Sequence, residues 1–119
     1  MISFKAKVVR GSGRGRRLGF PTANIVKPAS ELAYGVYSVA VKYNGRVYQG
    51  LMHFGPRKTF KAGIGAEIYI KDFKGSLYGR ELEIKILRKI RETRKFKDAA
   101  ALIKQIKKDL RELSRVISR

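Results

Sequence analysis

The sequence has no cysteine and a single histidine, His53. Without thiols the chain can form neither a disulfide nor a thiolate metal site, and one histidine argues against a histidine-based zinc site. No apolar run approaches the ~18 residues that a membrane-spanning helix needs. The first ten residues, MISFKAKVVR, alternate in polarity and lack the apolar stretch of a signal peptide. The sequence therefore predicts one cytoplasmic domain over residues 1–119, without a membrane partner.

Acidic residues are scarce, because nine Asp and Glu stand against 28 Lys and Arg, and the formal net charge is +19 at pH 7. Residues 1–30 contain seven basic residues and no acidic one. In the first 80 residues the only acids are Glu31, Glu67 and Asp72. A chain this basic attracts anions, but nucleic acid, nucleotides, phosphorylated small molecules and acidic membranes all fit the charge. The charge alone does not choose among these partners.

What the sequence does contain is a β pattern followed by a helical one. Alternation of apolar and polar residues predicts strands over 2–9, 36–43, 46–54, 66–73 and 80–87. Asn44 and Gly45 form a two-residue hairpin signal, since both tolerate the positive φ of a type I′ turn. The glycine-rich segments 10–34 and 56–65 are predicted loops, the first with a short extended piece.

The pattern changes after Asp98, which is a predicted helix N-cap. Apolar residues then recur at helical spacing: Leu102, Ile103, Ile106, Leu110, Leu113 and Ile117. Short antiparallel strands followed by one amphipathic helix favour a small barrel with the helix covering one side.

The first candidate site is the basic loop RGSGRGRR, residues 10–17. Glycines can turn backbone N–H groups toward an anion, and arginines add charge and forked donors. The residues in question are Gly11, Gly13, Arg14, Gly15, Arg16 and Arg17. The spacing is not that of a Walker A motif. On spacing alone, phosphate binding, a disordered basic loop and a nucleic-acid contact all remain open.

The second candidate is Thr22 with Asn24, in the string FPTAN. If this piece is extended, the two side chains point the same way and present a hydroxyl and an amide oxygen side by side. Hard oxygen ligands of this kind suit Mg²⁺. From chemistry alone a turn is the favoured interpretation, because Pro, Thr and Asn are common turn residues.

The third candidate is Glu67, on a predicted strand face that it shares with Tyr69 and Lys71. A carboxylate there can accept a proton from a substrate hydroxyl. The alternative is an ordinary solvated strand face. His53 lies on another predicted strand among apolar neighbours, and we interpret it as structural.

A fourth group lies near the predicted helix start, in the string IRETRKF. Arg91, Arg94 and Phe96 can sandwich an aromatic ligand between a guanidinium plane and a ring. Residues of these types are more often part of a core and its rim.

Five strings, in this order, resemble the riboflavin kinase (flavokinase) family of the bacterial and eukaryotic type. They are VVRGSGRGRRLGFPTANI (8–25), GVYSV (35–39), HFGPRKTF (53–60), EIYIKDFKGSLYG (67–79) and IRETRKFKDAAALIKQIKKD (90–109). The resemblance implies a stand-alone kinase domain, mainly β, built as a six-stranded antiparallel Greek-key barrel with a C-terminal helix. It implies phosphorylation of the riboflavin 5′-hydroxyl by ATP to give FMN, with Mg²⁺ or another divalent cation.

The same resemblance assigns roles to residues of this chain. Gly11 to Arg17 would wrap the ATP phosphates, and Thr22 would contact them while holding the metal with Asn24. Glu67 would be the catalytic carboxylate. Leu77 and Tyr78 would lie by the adenine nucleotide, and Arg91, Arg94 and Phe96 on the flavin side.

The chain departs from the family pattern at four positions. His53 and Lys58 stand where N-I-G-x-x-P-T-F has Asn and Pro, Tyr69 stands where a His often follows the catalytic Glu, and Ser76 replaces an acid before LYG. None of these changes removes a carried-over catalytic group. Two rival functions on the same fold are a nucleic-acid-binding barrel and a flavin-binding module without catalysis. A monomer is expected, and the charge leaves RNA open as a further partner.

Overall fold

The computed structural model describes residues 3–9, 22–25, 32–56, 64–73, 75–93 and 96–117. Within these ranges the elements are β1 Ser3–Lys7, β2 Thr22–Ile25, β3 Gly35–Tyr43, β4 Arg46–Pro56, β5 Ile64–Ile70, β6 Glu81–Arg91 and α1 Ala99–Ile117. Over the same ranges, no helix has both the length and the apolar character needed to cross a membrane.

The six strands form one antiparallel sheet in the order β1-β6-β3-β4-β5-β2. Strands β3, β4 and β5 follow one another, and β6 returns to lie beside β3, which is the Greek-key arrangement. The sheet curls until its two edges meet, where the Val9 N–H donates a hydrogen bond of 2.7 Å to the Asn24 carbonyl oxygen. The predicted six-stranded antiparallel Greek-key architecture with a C-terminal helix is confirmed.

Alternation along the strands produces two separate cores. The concave face carries the larger one, which includes Val39, Met52, Ile68 and Ile84. The convex face carries a smaller core of Val36, Leu51, Tyr69, Leu102, Ile106 and Leu113, in which α1 packs on the sheet. Residues one position apart on a strand therefore belong to different cores.

Local signals in the sequence set one hairpin turn and the start of the helix. Asn44 and Gly45 have φ values of 52° and 78°, as a type I′ turn requires. Asp98 caps α1, since its Oδ1 accepts a 2.9 Å hydrogen bond from the Ala101 N–H. Both predictions are confirmed.

The C-terminal end of β6 is bound to α1 by an ion pair whose carboxylate is buried. The Arg91 Nη2 and Nε groups donate to Asp109 Oδ2 at 2.8 and 3.2 Å, and Gln105 Nε2 donates to Asp109 Oδ1 at 2.8 Å. Asp109 is 3% exposed. The helix is therefore oriented on the sheet by a charged contact as well as by apolar packing.

Several predicted strand boundaries were wrong, and the largest differences are in β5 and β6. Strand β5 begins at Ile64 and ends at Ile70, instead of running over 66–73, because Asp72 adopts a φ of 60° that breaks the extended chain. Strand β6 continues from 87 to Arg91 because it keeps pairing with β3 as far as Val36. Gly35 permits this close approach, since a Cβ there would lie 3.2 Å from the Arg91 carbonyl oxygen.

Candidate active site

Five residues from five strands form one row across the sheet. Strand register places Asn24 opposite Glu67, Glu67 opposite His53, His53 opposite Val36, and Val36 opposite Arg91. Neighbouring strands lie about 4.8 Å apart, so the path from Glu67 to Arg91 is about 14 Å. We call Asn24, Glu67, His53, Val36 and Arg91 the cross-sheet row.

The polar part of this row is buried on the convex face. The exposed fraction is 6% for Glu67, 8% for His53 and 9% for Asn24. Val36 of the same row belongs to the core beneath α1, whereas the sequence neighbours Ala23 and Ile68 belong to the barrel interior. A carboxylate, an amide and an imidazole buried side by side are not a solvated strand face, so that interpretation of Glu67 is excluded.

The Glu67 carboxylate is held by a neutral donor. The Tyr69 hydroxyl donates a 2.6 Å hydrogen bond to Glu67 Oε1, and Tyr69 is 3% exposed. The ring of Tyr69 lies edge-on to that of His53, with centroids 5.1 Å apart and an interplanar angle of 65°. Within the described part of the chain, the ion pairs are Lys89–Glu92 and Arg91–Asp109, and neither involves Glu67.

The two buried carboxylates of the described chain, Glu67 and Asp109, thus differ in their hydrogen-bond partners. Asp109 accepts from Arg91 and Gln105 on both of its oxygens, which makes it a structural group. Glu67 is bonded by a tyrosine at one oxygen and sits next to the amide of Asn24. A carboxylate arranged in this way can receive a hydroxyl group of a ligand on its other oxygen.

The side-chain oxygen of Asn24 is of the type that suits a divalent cation. Directly opposed residues of an antiparallel pair have Cβ atoms about 5 Å apart, so a cation held by Asn24 would lie close to Glu67. The described residues contain no cluster of three His, Asp or Glu, so this region offers few ligands of its own. That is the pattern of Mg²⁺, which takes the remaining positions from phosphates and water.

Thr22 lies opposite Tyr69 in the β2–β5 register, two positions from the Asn24–Glu67 pair. Its side chain is outside the described part of the structure. The predicted phosphate residues Gly11, Gly13, Arg14, Gly15, Arg16 and Arg17 lie outside the described residues, as do Arg94 and Lys58. Described residues flank this glycine- and arginine-rich segment: Val9 is bridged to Asn24, and Thr22 lies two residues before Asn24 on β2. The described residues that flank the segment therefore lie on the sheet close to Asn24.

The predicted nucleotide residues Leu77 and Tyr78 lie in different surroundings. Leu77 is 4% exposed and packs in the barrel interior, whereas Tyr78 is 54% exposed. The following turn is bound to the end of β1, because the Gly79 N–H donates to the Val8 carbonyl oxygen at 3.0 Å. Their contact with a nucleotide stays a prediction.

The predicted flavin residues Arg91 and Phe96 lie together. The Arg91 Cζ atom is 5.9 Å from the centre of the Phe96 ring, and Phe96 packs against the core beneath α1. The guanidinium is also occupied by Asp109 and by the Glu92 carbonyl oxygen, at 3.1 Å from Nη1. The structure gives Arg91 an anchoring function, and its flavin contact stays a prediction.

The riboflavin kinase (flavokinase) family model matches residues 1–117. The chain belongs to the riboflavin kinase family. It is 42% identical over 112 residues to the RNA-binding riboflavin kinase RibR of Bacillus subtilis, covering 92% of this chain and 49% of that protein. It is 40% identical over 109 residues to a bifunctional riboflavin kinase/FMN adenylyltransferase of Listeria monocytogenes, covering 88% of this chain and 35% of that protein. The chain thus spans between a third and a half of these relatives of the riboflavin kinase family.

Solved structures agree with the fold. A Streptococcus pneumoniae structure described as a macrolide-efflux protein superposes with a TM-score of 0.81 at 32% identity, covering 95% of this chain and 38% of that one. The riboflavin kinase of Trypanosoma brucei superposes with a TM-score of 0.67 at 24% identity, covering 98% and 80% of the two chains. The second likeness shows that the riboflavin kinase fold is shared.

The position of His53 beside Glu67 is what the sequence did not reveal. We interpreted it as structural because its neighbours along the strand are apolar. The register of β4 with β5 places it directly opposite Glu67, and its ring contacts Tyr69. No local sequence signal could have found this, since the pairing joins strands through a loop of unpatterned residues.

Proposed function

We propose that this protein is a riboflavin kinase, which transfers the γ-phosphoryl group of ATP to the 5′-hydroxyl of riboflavin and releases FMN and ADP. Membership of the family supports the activity. The observation that carries the proposal is the pairing of Asn24 with Glu67 in the cross-sheet row, because it joins a candidate metal ligand to a buried carboxylate.

In this proposal Glu67 orients the nucleophile. Its carboxylate accepts a hydrogen bond from the riboflavin 5′-hydroxyl and aligns the oxygen with the γ-phosphorus. Phosphoryl transfer has a loose transition state, so positioning and charge neutralisation supply most of the catalysis. As the new O–P bond forms and the bond from phosphorus to the leaving ADP oxygen breaks, the hydroxyl proton passes to Glu67.

Asn24 and Thr22 would hold a divalent cation, preferably Mg²⁺. A cation bound there neutralises phosphate charge. Gly11 to Arg17 would wrap the ATP phosphates, since the chain on either side of this segment lies beside Asn24. Backbone N–H groups freed by the glycines and the forked donors of the arginines suit that contact.

The remaining contacts of the two substrates follow the sequence predictions. We propose that Leu77 and Tyr78 flank the adenine nucleotide, with the exposed Tyr78 ring as the contacting surface. Arg91, Arg94 and Phe96 would lie on the flavin side, at the other end of the cross-sheet row. A single domain over 1–119, a monomeric state and a cytoplasmic location stay predictions.

The purified protein is expected to convert riboflavin to FMN with ATP and Mg²⁺, and excess chelator is expected to stop the conversion. Chromatography of the flavins measures it, and adding Mg²⁺ back after chelation is the control. Binding of FMN without turnover would favour a flavin-binding module instead. Absence of both binding and turnover in folded protein would reject the kinase proposal.

A second proposal concerns the charge, which exceeds what two small substrates require. Four exposed basic residues of α1, Lys104, Lys107, Lys108 and Arg111, follow the i, i+3, i+4, i+7 spacing of one helix face. They extend over about 10 Å along the helix. We propose that this basic helix face binds RNA. The RNA-binding name of the Bacillus subtilis relative supports it, although this chain covers 49% of that protein.

Replacing these four residues with Gln is expected to weaken binding of a short single-stranded RNA. The slope of log K against log salt should fall by about 3, because each phosphate contact on a single strand contributes about 0.7. Fluorescence anisotropy of labelled RNA over a salt series measures it. The charge-matched control replaces Lys5, Lys7, Lys85 and Arg88, which are exposed on β1 and β6. Equal losses in both variants would indicate an effect of net charge and reject the helix face.

A further inference from the structure

The hydrogen bond from Tyr69 to Glu67 joins two residues on the same face of β5. Residues two apart on a strand lie on one face, and the phenol of Tyr69 reaches back along the strand to Glu67 Oε1 at 2.6 Å. Both side chains are buried. A short bond between buried groups is shielded from competing water, so it restricts the torsion angles of the carboxylate.

Tyr69 is itself fixed by its surroundings. Its ring belongs to the core between the sheet and α1, together with Leu102, Ile106 and Leu113 of the helix. On the strand side it lies edge-on to His53 at 5.1 Å. The position of the hydroxyl is therefore set by the packing of α1 on β4 and β5, not by the β5 backbone alone.

We propose that Tyr69 is a positioning residue, which holds Glu67 Oε1 so that Oε2 faces the substrate hydroxyl. This inference rests on the proposed kinase function. Because Tyr69 acts through Glu67, its loss affects the rate of phosphoryl transfer more than the affinity for riboflavin or ATP. The helix then contributes to catalysis indirectly, through the ring that it holds in place.

The variant Tyr69→Phe tests this, because it keeps the ring and removes the donor. We expect kcat for FMN formation to fall by about 10- to 100-fold, since misplacement of a reacting group by 1 Å can cost about 100-fold. The KM values for riboflavin and ATP should stay unchanged. Tyr69→His, which places another ring with a donor at this position, should retain more activity than Tyr69→Phe.

Tyr37→Phe is the matched control. The Tyr37 hydroxyl also donates a 2.6 Å hydrogen bond, to the Ala33 carbonyl oxygen, and Tyr37 is 5% exposed. It points into the barrel interior, away from Glu67. We expect this variant to resemble Tyr69→Phe in melting temperature and the wild type in kcat.

A double-mutant cycle with Glu67→Gln separates the possible outcomes. If Tyr69 works through Glu67, adding Tyr69→Phe to Glu67→Gln leaves the residual rate unchanged. An equal loss of rate in both backgrounds, an unaltered kcat in Tyr69→Phe, or an equal loss in Tyr37→Phe would each overturn the inference. A wild-type protein without FMN formation would reject the kinase function itself, and that result is distinct from all three.

Discussion

Replacing Glu67 with Gln is expected to lower kcat for FMN formation by about 100- to 10,000-fold, the range found when a positioned acid–base group is removed. Gln preserves the size of the side chain and offers Tyr69 an amide oxygen, so the local packing should survive. Gln cannot take the proton of the riboflavin hydroxyl, and its amide N–H groups can donate hydrogen bonds where the carboxylate only accepts them. Steady-state kinetics, together with thermal melting, measures the effect.

The control for this variant is the other buried carboxylate of the described chain. Asp109→Asn removes a charge that is equally inaccessible but is paired with Arg91, far along the cross-sheet row. We expect Glu67→Gln to lower kcat with little change in melting temperature, and Asp109→Asn to lower the melting temperature with little change in kcat. Wild-type kcat in Glu67→Gln would remove this residue from the mechanism, while FMN formation by the wild type would still stand.

Replacing Asp109 with Ala is expected to destabilise the protein by about 3 kcal/mol, because removal of one partner leaves a charge in a poorly solvated site. The Asp109 side chain is 4% exposed and that of Arg91 18%, so water replaces the lost contact incompletely. The same substitution deprives Gln105 of its acceptor. Such a loss is a large share of the 5–15 kcal/mol that holds a typical domain together. Urea unfolding followed by circular dichroism measures it.

An exposed ion pair of the same strand region is the matched comparison. Lys89 Nζ lies 2.6 Å from Glu92 Oε1, and the two side chains are 33% and 78% exposed. Glu92→Gln should cost less than about 1 kcal/mol, since solvent-exposed pairs contribute little. If Asp109→Ala were as mild as Glu92→Gln, the buried pair would not anchor α1 as the structure indicates.

Most of the fold could be predicted because its signals are local. Period-two alternation identified five of the strands, Asn44-Gly45 identified the hairpin, and Asp98 identified the start of α1. Boundaries were less accurate. Strand β6 runs on to Arg91 because β3 continues to pair with it, and β5 stops early at the positive φ of Asp72. Pairing partners and single backbone angles leave no periodic signal in the sequence.

The sequence predicted which residues belong to the candidate site, but not how they are arranged or how deeply they are buried. Glu67 stood out because acids are rare in the first 80 residues, and its shared face with Tyr69 followed from alternation. The burial of that face did not follow, since a strand with Glu, Tyr and Lys on one side also suits solvent. The burial of Tyr69 came from α1, whose apolar residues pack with it in one core, and Glu67 beside it is 6% exposed.

The sequence by itself determined a basic β chain with a C-terminal amphipathic helix, its family, and the residue types available for phosphate, metal and hydroxyl. Alternation, turn residues and motif spacing are signals within a few consecutive residues, so each strand, turn or motif can be predicted on its own. Only the tertiary structure decided that Asn24, Glu67, His53 and Arg91 share a row, that Tyr69 holds Glu67, and that Arg91 is paired with Asp109. These relations depend on register between strands distant in the chain and on how a helix packs over them, and both are settled by the packing of the whole domain.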